Sequence, residues 1–307
     1  MSAEFEMIAE LTDGLAIGPD VRLGPGDDAA VLMPRGDIVI TTDVLIENVH
    51  FKRAWSSAFQ TGRKAVAVNV SDVEAMGAEP SAVVIGLAFP RNLDRRWVSD
   101  FQEGVVEECA RAGVSLVGGD LSSSAHIALG VTALGNLSGR PAITRAGARA
   151  GDQVAVCGRL GCSAGGLLVL QRGFGSPKDL VLEQQCPTVP YGQGKVAAEA
   201  GATAMIDVSD GLLQDLGHIC ELSGVGIDVR TGALKIHDSL ARLAAATGKD
   251  PLGFVLAGGE DHALAATFPA EVELPQGWLR IGTVISGAEV IVDGMPWTGS
   301  VGWDHFA

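Results

Sequence analysis

Residues 62–76 have the sequence GRKAVAVNVSDVEAM. Apolar side chains occupy most positions from Ala65 to Val70, and this pattern predicts a helix over 62–76 that lies inside the protein. Asp72 stands within this helix. A buried carboxylate without a partner is costly, so Asp72 requires a cation or hydrogen-bond donors.

Strands and helices alternate on both sides of this segment. A second helix is predicted over 93–112, because apolar residues recur every four positions from Trp97 to Cys109. Alternating strands and helices indicate an α/β fold. The predicted strands cover residues 37–42, 82–89, 114–117 and 127–134.

A break in the pattern divides the chain. Gly139-Arg140-Pro141 interrupts the apolar pattern, and the following run to Asp152 is polar and rich in Gly and Ala. We therefore expect two domains, residues 1–139 and residues 140–307. In the second domain, strands are predicted over 153–157, 204–208, 226–229 and 263–268, and helices over 163–171, over a segment ending near 201, and over 212–222.

The charge balance limits the partners of this chain. Its 307 residues include 22 basic and 37 acidic side chains, a formal net charge of −15. Such a field repels nucleic acid and anionic membranes, and the sequence has no basic patch to offset it. We therefore expect no nucleic-acid or membrane partner.

The cysteines and the apolar runs predict a cytoplasmic protein. The five cysteines include no CxxC pair and stand mostly among apolar residues, which is typical of buried reduced thiols. The acidic amino terminus lacks the apolar core of a signal peptide. No apolar run approaches the roughly 20 residues of a membrane span.

Acidic residues follow several predicted strands. Asp43, Asp120 and Asp207 each come after an apolar run, and Asp28 lies in a glycine-rich loop. Asp210 lies three residues beyond Asp207, so a helix that has begun there would carry both on one face. Each alone fits a turn or a helix cap equally well. Strand ends converge on one edge of an α/β sheet, so we expect the acids to cluster there and to need neutralising cations. Oxygen-only ligands suit Mg²⁺ bound together with substrate phosphates.

Standard nucleotide and hydrolase motifs are absent from the sequence. It contains no GxxxxGK[ST], no GxGxxG after a strand, no HExxH and no GxSxG. The glycine-rich stretch 161–166 allows two interpretations, a phosphate cradle at a helix start or close packing of a helix on its neighbours. Both stay open at this point.

A series of motifs in fixed order resembles the thiamine-monophosphate kinase family over nearly the whole chain. The motifs are Gly24–Ala30, Thr41–Asp43 with His50-Phe51, Lys64–Asp72 with Ala75–Ala78, Gly118–Asp120, Thr144–Gly147, Ile206–Leu212, Gly258–Asp261 and Gly302–Phe306. This family belongs to a superfamily with aminoimidazole-ribonucleotide synthetase, selenophosphate synthetase and a hydrogenase maturation protein.

The resemblance implies a fold and a reaction. It implies a two-domain α/β structure with mixed sheets, in which the amino-terminal domain pairs with its twin in a homodimer to form a strand barrel. The carboxy-terminal domain is α/β, and the active site lies in the cleft between the domains. The implied enzyme is a phosphotransferase that passes a phosphate group from ATP to thiamine monophosphate, giving thiamine diphosphate. Direct in-line transfer is expected, since the acceptor phosphate is already charged.

The resemblance also assigns roles to individual residues. Several Mg²⁺ ions are implied, with the ligands Asp28, Thr41, Thr42, Asp43, Asp72, Asp120, Asp207 and Asp210. Asp43, Asp72 and Asp207 are the implied catalytic residues, because they hold the ions that bridge the two phosphates. The implied ATP contacts are Gly119, Asp120, Arg145 and Ser209, and those to thiamine monophosphate are His50, Glu260 and Trp303.

Two departures and two alternatives accompany this interpretation. The family more often has tyrosine where this chain has His262, and an aromatic residue before Gly-Gly-Asp is replaced by Arg111 or Ala112. One alternative is another ATP-dependent enzyme of the superfamily, a ring-closing or selenophosphate-type synthetase. The other is a catalytically silent scaffold that only binds cations.

Overall fold

Two compact units make up residues 3–303, the part of the chain that this computed structural model describes, with side chains from Glu6 onward. One unit comprises the chain up to Val73 together with Ala78–Gly139. The other comprises Glu74–Gly77 together with the residues from Arg140 onward.

The first unit is built on a four-stranded sheet with the strand order β3-β6-β4-β5. Strands β4 and β5 are parallel, and the other neighbouring pairs are antiparallel. Strands β3 and β5 are therefore the two edges of this sheet. The elements are α1 (Ala3–Thr12), β1 (Val21–Leu23), β2 (Val31–Leu32), β3 (Ile38–Ile46), α2 (Ala58–Ala75), β4 (Glu79–Phe89), α3 (Arg95–Ala112), β5 (Ser115–Ser123) and β6 (Ala128–Asn136).

The two faces of this sheet differ in burial. Successive side chains of a strand point to opposite faces, and along β3 the residues Thr41, Asp43 and Leu45 are more buried than their neighbours. Ile40 and Val44 on the other face are 67% and 54% exposed. We call this surface the outer face; its exposed apolar side chains are Ile38, Ile40, Val44, Ile46 and Val84.

Helices α2 and α3 cross at two glycines. A Cβ atom on Gly104 would lie 2.0 Å from the main-chain oxygen of Phe59, and one on Gly62 would lie 2.1 Å from that of Phe101. Real Cβ atoms do not approach other atoms so closely. The crossing thus brings backbone against backbone, which only residues without a side chain permit.

The second unit contains a mixed seven-stranded sheet with the order β13-β12-β9-β11-β7-β10-β8. All pairs are antiparallel except the pair of β12 and β9. The elements are β7 (Gln153–Cys157), α4 (Cys162–Gln171), α5 (Lys178–Gln185), α6 (Gln193–Glu199), β8 (Ala204–Val208), α7 (Leu212–Ser223), β9 (Gly226–Val229), a 3-10 turn (Thr231–Ala233), α8 (Asp238–Thr247), α9 (Pro251–Ala257), β10 (Ala263–Phe268), β11 (Trp278–Ile285), β12 (Val290–Val292) and β13 (Met295–Pro296).

Apolar side chains pack on both faces of this sheet. One cluster joins alternate residues of the central strands to α7, as Ile206 and Leu216 show. The other includes Met205 and Phe268, with the rings of Phe268 and Trp278 edge to face at 5.3 Å. Alternate residues of β8 thus enter opposite clusters, which explains why its sequence is a continuous apolar run up to Asp207.

The last turn of α2 belongs to the second unit. Glu74 is buried, and its Oε1 and Oε2 accept hydrogen bonds from the main-chain N–H groups of Gly192 and Gly194, at 2.6 and 2.8 Å. A carboxylate that accepts two such bonds at the start of α6 satisfies helix donors that otherwise lack partners.

The α/β class with mixed sheets is confirmed, and two expectations about the acids are wrong. Asp43 and Asp120 lie inside β3 and β5 rather than after them, because both strands continue beyond the apolar runs. Asp207 and Asp210 do not share a helix face, since α7 begins only at Leu212.

The cysteines lie in the interior, as their apolar sequence neighbours predict. All five cysteines are buried free thiols, and burial raises the pKa of Cys109 and of Cys162 to about 12.

Between Ala3 and Trp303, no helix has the length and apolar character needed to cross a membrane.

Candidate active site

In the first unit, three of the predicted metal ligands, Thr41, Asp43 and Asp72, lie where β3 contacts α2. The Thr41 hydroxyl donates to Oδ2 of Asp72 at 2.7 Å, and the main-chain N–H of Asp43 donates to Oδ1 of Asn69 at 3.0 Å. The Asn69 side chain is oriented in turn by donating to the Ala65 oxygen. Asp72 is half-buried and has the donor that its place in the helix requires. Asp43 and Asp72 are thereby brought to one region.

Three other predicted ligands of this unit lie elsewhere. Thr42 is on the outer face, where its hydroxyl donates to the Val131 oxygen. Asp120 lies on β5, three strand positions from β3, a separation of about 14 Å at the usual strand spacing. Asp28 is exposed in a loop. The expected cluster at the ends of the strands is not formed by Asp43 and Asp120, because both lie within strands and these two strands are the outermost ones of the sheet.

His50 lies in a tight turn after β3. Its Nδ1 accepts a hydrogen bond from the Ile46 N–H at 3.0 Å, so in the neutral ring the proton is on Nε2. The main-chain oxygen of His50 accepts from Nζ of the buried Lys64 at 3.1 Å. These contacts fix the ring and its tautomer.

Gly119 lines a small apolar cavity. A Cβ atom at this position would lie 2.2 Å from the Ile85 oxygen, so the close approach of β5 to β4 requires glycine. The cavity has a volume of about 130 Å³. Its lining includes Leu87, Val98 and Phe101, together with Gly118, Gly119 and Asp120.

In the second unit, Asp207 is a buried carboxylate near the end of the edge strand β8. Its Oδ2 lies 3.1 Å from Nδ1 of His262, which is also buried. The pairing follows from the ladder of β8 and β10, which sets Leu264 opposite Asp207 and Ala263 opposite Val208. His262 therefore directly precedes the strand that faces Asp207.

The loop 258–262 is anchored to the segment that follows β8. The Glu260 N–H donates to the Ser209 oxygen at 2.6 Å, and the His262 N–H donates to the Val208 oxygen at 2.8 Å. Glu260 and His262 have φ angles of 64° and 50°, in the left-handed region that non-glycine residues seldom adopt. This conformation places Glu260 beside Ser209.

Trp303 completes this end of the second unit. Its N–H donates to the Asp210 oxygen at 3.0 Å, and its own oxygen accepts from Nε2 of Gln214 at 2.9 Å. The indole is 61% exposed. Ser209, Asp210, Glu260 and Trp303 are thus joined by main-chain hydrogen bonds, and the last motif residues, 304–306, lie outside the described residues.

Asp215 and Asp261 support this site, and sequence reasoning missed both roles. Oδ2 of Asp215 accepts from the N–H groups of Asp210 and Gly211, at 3.1 and 3.0 Å. Burial, followed by the negative charge of Asp207, raises the pKa of Asp215 to about 7. The sequence did contain a signal for the role of Asp215. An acid in the first turn of a helix, here the helix that follows Asp210, is typical of a carboxylate that caps the helix start.

Asp261 caps helix α4. Its carboxylate accepts from the N–H groups of Gly161 and Ser163, and burial raises its pKa to about 7. A Cβ atom on Gly166 would lie 2.0 Å from the Leu180 oxygen. The glycine-rich stretch therefore serves close helix packing, and a carboxylate already occupies the helix start where a phosphate would bind.

Arg145 is separate from these residues. Its main-chain oxygen accepts from the Ser223 hydroxyl at the end of α7, and the preceding Thr144 bonds to Met205 near the start of β8. Ser209 and Asp210 follow the opposite end of β8. The backbone of Arg145 thus lies far along the strand from the site loop.

The donor chemistry fits Mg²⁺ that is bound partly by substrate. Within residues 3–303, no group of three His, Cys, Asp or Glu side chains is placed to hold a metal ion by itself. The first unit offers the neighbouring Asp43 and Asp72, and the second offers Asp207 and Asp210. Mg²⁺ commonly binds through one or two carboxylates, with substrate phosphates and water as the remaining ligands. These acids match that pattern.

Comparisons with known proteins agree with the motif order. Residues 26–137 match the family model of the AIR synthase related protein, N-terminal domain. The thiamine-monophosphate kinase of Mycobacterium tuberculosis is 47% identical over 307 residues, covering 99% of this chain and 91% of the relative.

Solved structures give the same result. The crystal structure of thiamine-monophosphate kinase from Stenotrophomonas maltophilia has a TM-score of 0.83 and 34% identity, covering 95% of this chain and 96% of that one. The structure of AaThiL complexed with AMPPCP and TMP has a TM-score of 0.80 and 33% identity, covering 98% and 96%. Full-length identity of this size, with the motif residues joined as described, shows that the chain belongs to the thiamine-monophosphate kinase family.

Proposed function

We propose that this kinase transfers a phosphate group from ATP to thiamine monophosphate, giving ADP and thiamine diphosphate, by direct in-line transfer assisted by Mg²⁺. The observation that carries the proposal is the arrangement at the end of β8. Main-chain hydrogen bonds bring Ser209 and Asp210 together with Glu260 and Trp303, which stand about 50 and 90 residues further along the chain.

The acids provide the proposed metal ligands. Asp43, Asp72 and Asp207 would hold Mg²⁺, and the bound ions would neutralise the charge of the transferring phosphate group. Thr42 stays a prediction from the resemblance, because its hydroxyl lies on the other face of the sheet. The other ligands in the proposed set are Asp28, Thr41, Asp120 and Asp210.

The substrate contacts follow from the chemistry of three side chains. The exposed Trp303 indole offers an aromatic face to the cationic thiazolium or to the pyrimidine. Glu260 can accept from the aminopyrimidine group. His50, with its proton on Nε2, offers a fixed donor.

The proposed ATP contacts are Gly119, Asp120, Ser209 and Arg145. The cavity lined by Gly119 and Asp120 has apolar walls that suit an adenine ring, although residues 111 and 112 are not aromatic. Ser209 supplies a hydroxyl and Arg145 a planar donor fork for phosphate oxygens. Because the acceptor oxygen of thiamine monophosphate is already anionic at neutral pH, no strong general base is required, and the residues act by positioning and charge neutralisation.

A homodimer is the proposed assembly. The outer face exposes five apolar side chains on one sheet, between two open edge strands. An exposed apolar sheet face is typical of an interaction surface. A second copy of the chain that covers this face would give the strand barrel that the resemblance implies. The five buried free thiols favour a cytoplasmic location.

One assay tests the activity. The protein is incubated with Mg-ATP and either thiamine monophosphate or thiamine, and thiamine diphosphate is measured. We expect product from the monophosphate alone. No product from either acceptor would contradict the proposal, and a protein that binds Mg²⁺ equally with and without ATP would indicate a cation-binding scaffold.

A further inference from the structure

The ring of His262 contacts the carboxylate of Asp207 within hydrogen-bond distance. Nδ1 of His262 lies 3.1 Å from Oδ2 of Asp207, and the two side chains are 8% and 7% exposed. Polar groups buried to this extent require well-directed partners. The motif analysis assigned no function to this histidine.

The main chain on both sides of His262 fixes the position of its ring. The His262 N–H donates to the Val208 oxygen, and the next residue, Ala263, enters the ladder with β8. The preceding Asp261 is held by two N–H groups at the start of α4. The φ angle of 50° at His262 is maintained by these contacts, and such unusual conformations cluster at functional sites.

We propose that His262 is a positioning residue for Asp207: Nδ1–H donates to Oδ2 and fixes the rotation of the carboxylate, so that its oxygens face the cation in one orientation. The inference rests on the proposed function, in which Asp207 is a metal ligand. Hydrogen bonds from a second residue commonly orient the residues that bind a metal directly. This role requires a hydrogen-bond donor at the Nδ1 position. It does not require a positive charge on the ring.

Two substitutions separate the donor from the ring. His262→Phe keeps a planar ring and removes the donor, whereas His262→Asn retains an amide donor close to the position of Nδ1. His218→Phe, on α7 of the same unit, is the matched control. Melting temperatures identify any variant that does not fold.

Binding of Mn²⁺ with a non-hydrolysable ATP analogue is measured from the loss of the free Mn²⁺ EPR signal. We expect His262→Phe to weaken Mn²⁺ binding by about ten- to a hundredfold. His262→Asn and His218→Phe should bind as the wild type does. Equal Mn²⁺ affinity in wild type and His262→Phe overturns the proposal, as does an Asn variant that binds as weakly as the Phe variant.

A measurement on the wild-type protein is independent of variant folding. Long-range ¹H–¹⁵N NMR of histidine-labelled protein reports which ring nitrogen of His262 carries the proton. We expect Nδ1 to be protonated, and a proton on Nε2 alone overturns the proposal. Failure of the proposed function can be distinguished from failure of this inference. In the first case the wild type makes no thiamine diphosphate, and the EPR and NMR experiments still decide the role of His262.

Discussion

Asp43 and Asp207 carry the residue-scale prediction about turnover. We expect Asp43→Asn and Asp207→Asn each to lower kcat by at least about a hundredfold, because each removes a carboxylate that would hold the Mg²⁺ that neutralises the transferring phosphate. The folded structure should persist, since Asn has the shape of Asp. Asp100→Asn, the same change at an exposed position on α3, is the control. Steady-state kinetics with near-normal kcat in both variants would rule out these two acids as catalytic ligands.

Asp261 carries a prediction about pH. Burial raises the pKa of this carboxyl from 3.8 to about 7 in the folded protein. A group with a higher pKa in the folded state stabilises that state when protonated. Its contribution is complete below the unfolded pKa and is lost as the pH rises through about 7.

The Asp261→Asn variant cannot ionise at this position. We expect its melting temperature to fall less than that of wild type as the pH rises from about 4 to about 7. The difference in slope is the test, and Asp100→Asn serves again as control. Parallel melting curves for wild type and Asp261→Asn would show that the buried carboxyl does not titrate in this range.

The sequence predicted part of the residue-scale arrangement. The motifs predicted that Ser209, Glu260 and Trp303 all contact substrates. In the structure, main-chain hydrogen bonds bring these three residues together around Asp210. The supporting roles of Asp215 and Asp261 were not predicted, because both accept bonds from backbone N–H groups. The partners of Asp215 are local in sequence and carried a capping signal that was missed. Those of Asp261 lie 98 and 100 residues away in the chain, so they depend on tertiary packing, about which periodicity carries no information.

At the scale of elements, the crossing of α2 and α3 makes a prediction about stability. Gly104→Ala would place a Cβ atom 2.0 Å from the Phe59 oxygen. The two helices must then separate, and we expect a loss of about 1–3 kcal/mol or more in the free energy of unfolding. Urea denaturation provides the measurement.

Gly217→Ala is the matched control for this change. Gly217 lies within α7 and has no neighbouring atom within 4 Å of the added Cβ position. We expect this variant to be about 0.5–1 kcal/mol more stable than wild type, because alanine favours helix. Equal effects of the two substitutions would mean that the crossing is loose.

Elements with strong periodicity were predictable, and short or polar ones were not. Helix α3 was predicted over 93–112 and observed over Arg95–Ala112, and β7, β8 and β10 match their predicted ranges. Helices α5, α8 and α9 were not predicted. They have at most 10 residues. Helices this short depend on tertiary packing for their stability, here against one another and against α4 and α7.

At the scale of the whole molecule, the outer face predicts self-association. Ile40 is its most exposed apolar side chain, at 67%. We expect wild type to show twice the monomer mass in size-exclusion chromatography with light scattering, and Ile40→Lys to show the monomer mass, since a buried lysine without a partner opposes the contact. The melting temperature of the monomeric Ile40→Lys protein should show that its fold survives.

Leu222→Lys is the control for this substitution. Leu222 is 56% exposed near the end of α7, so it undergoes the same change of side chain on a different surface. We expect this variant to keep the wild-type mass. A monomeric wild type, or an Ile40→Lys protein that remains dimeric, would exclude the outer face as the interface.

Glu74 limits how this protein can be divided. A gene fragment that begins at Arg140 would contain most of the second unit, yet it would lack the carboxylate that accepts from Gly192 and Gly194. We expect such a fragment to be less protected from hydrogen exchange at the start of α6 than the full chain, because those amides lose their acceptor. The second unit therefore needs the short segment Glu74–Gly77 as well as the chain from Arg140 onward, and circular permutation that preserves Glu74 would be a better route to rearranging the protein than cutting at residue 140.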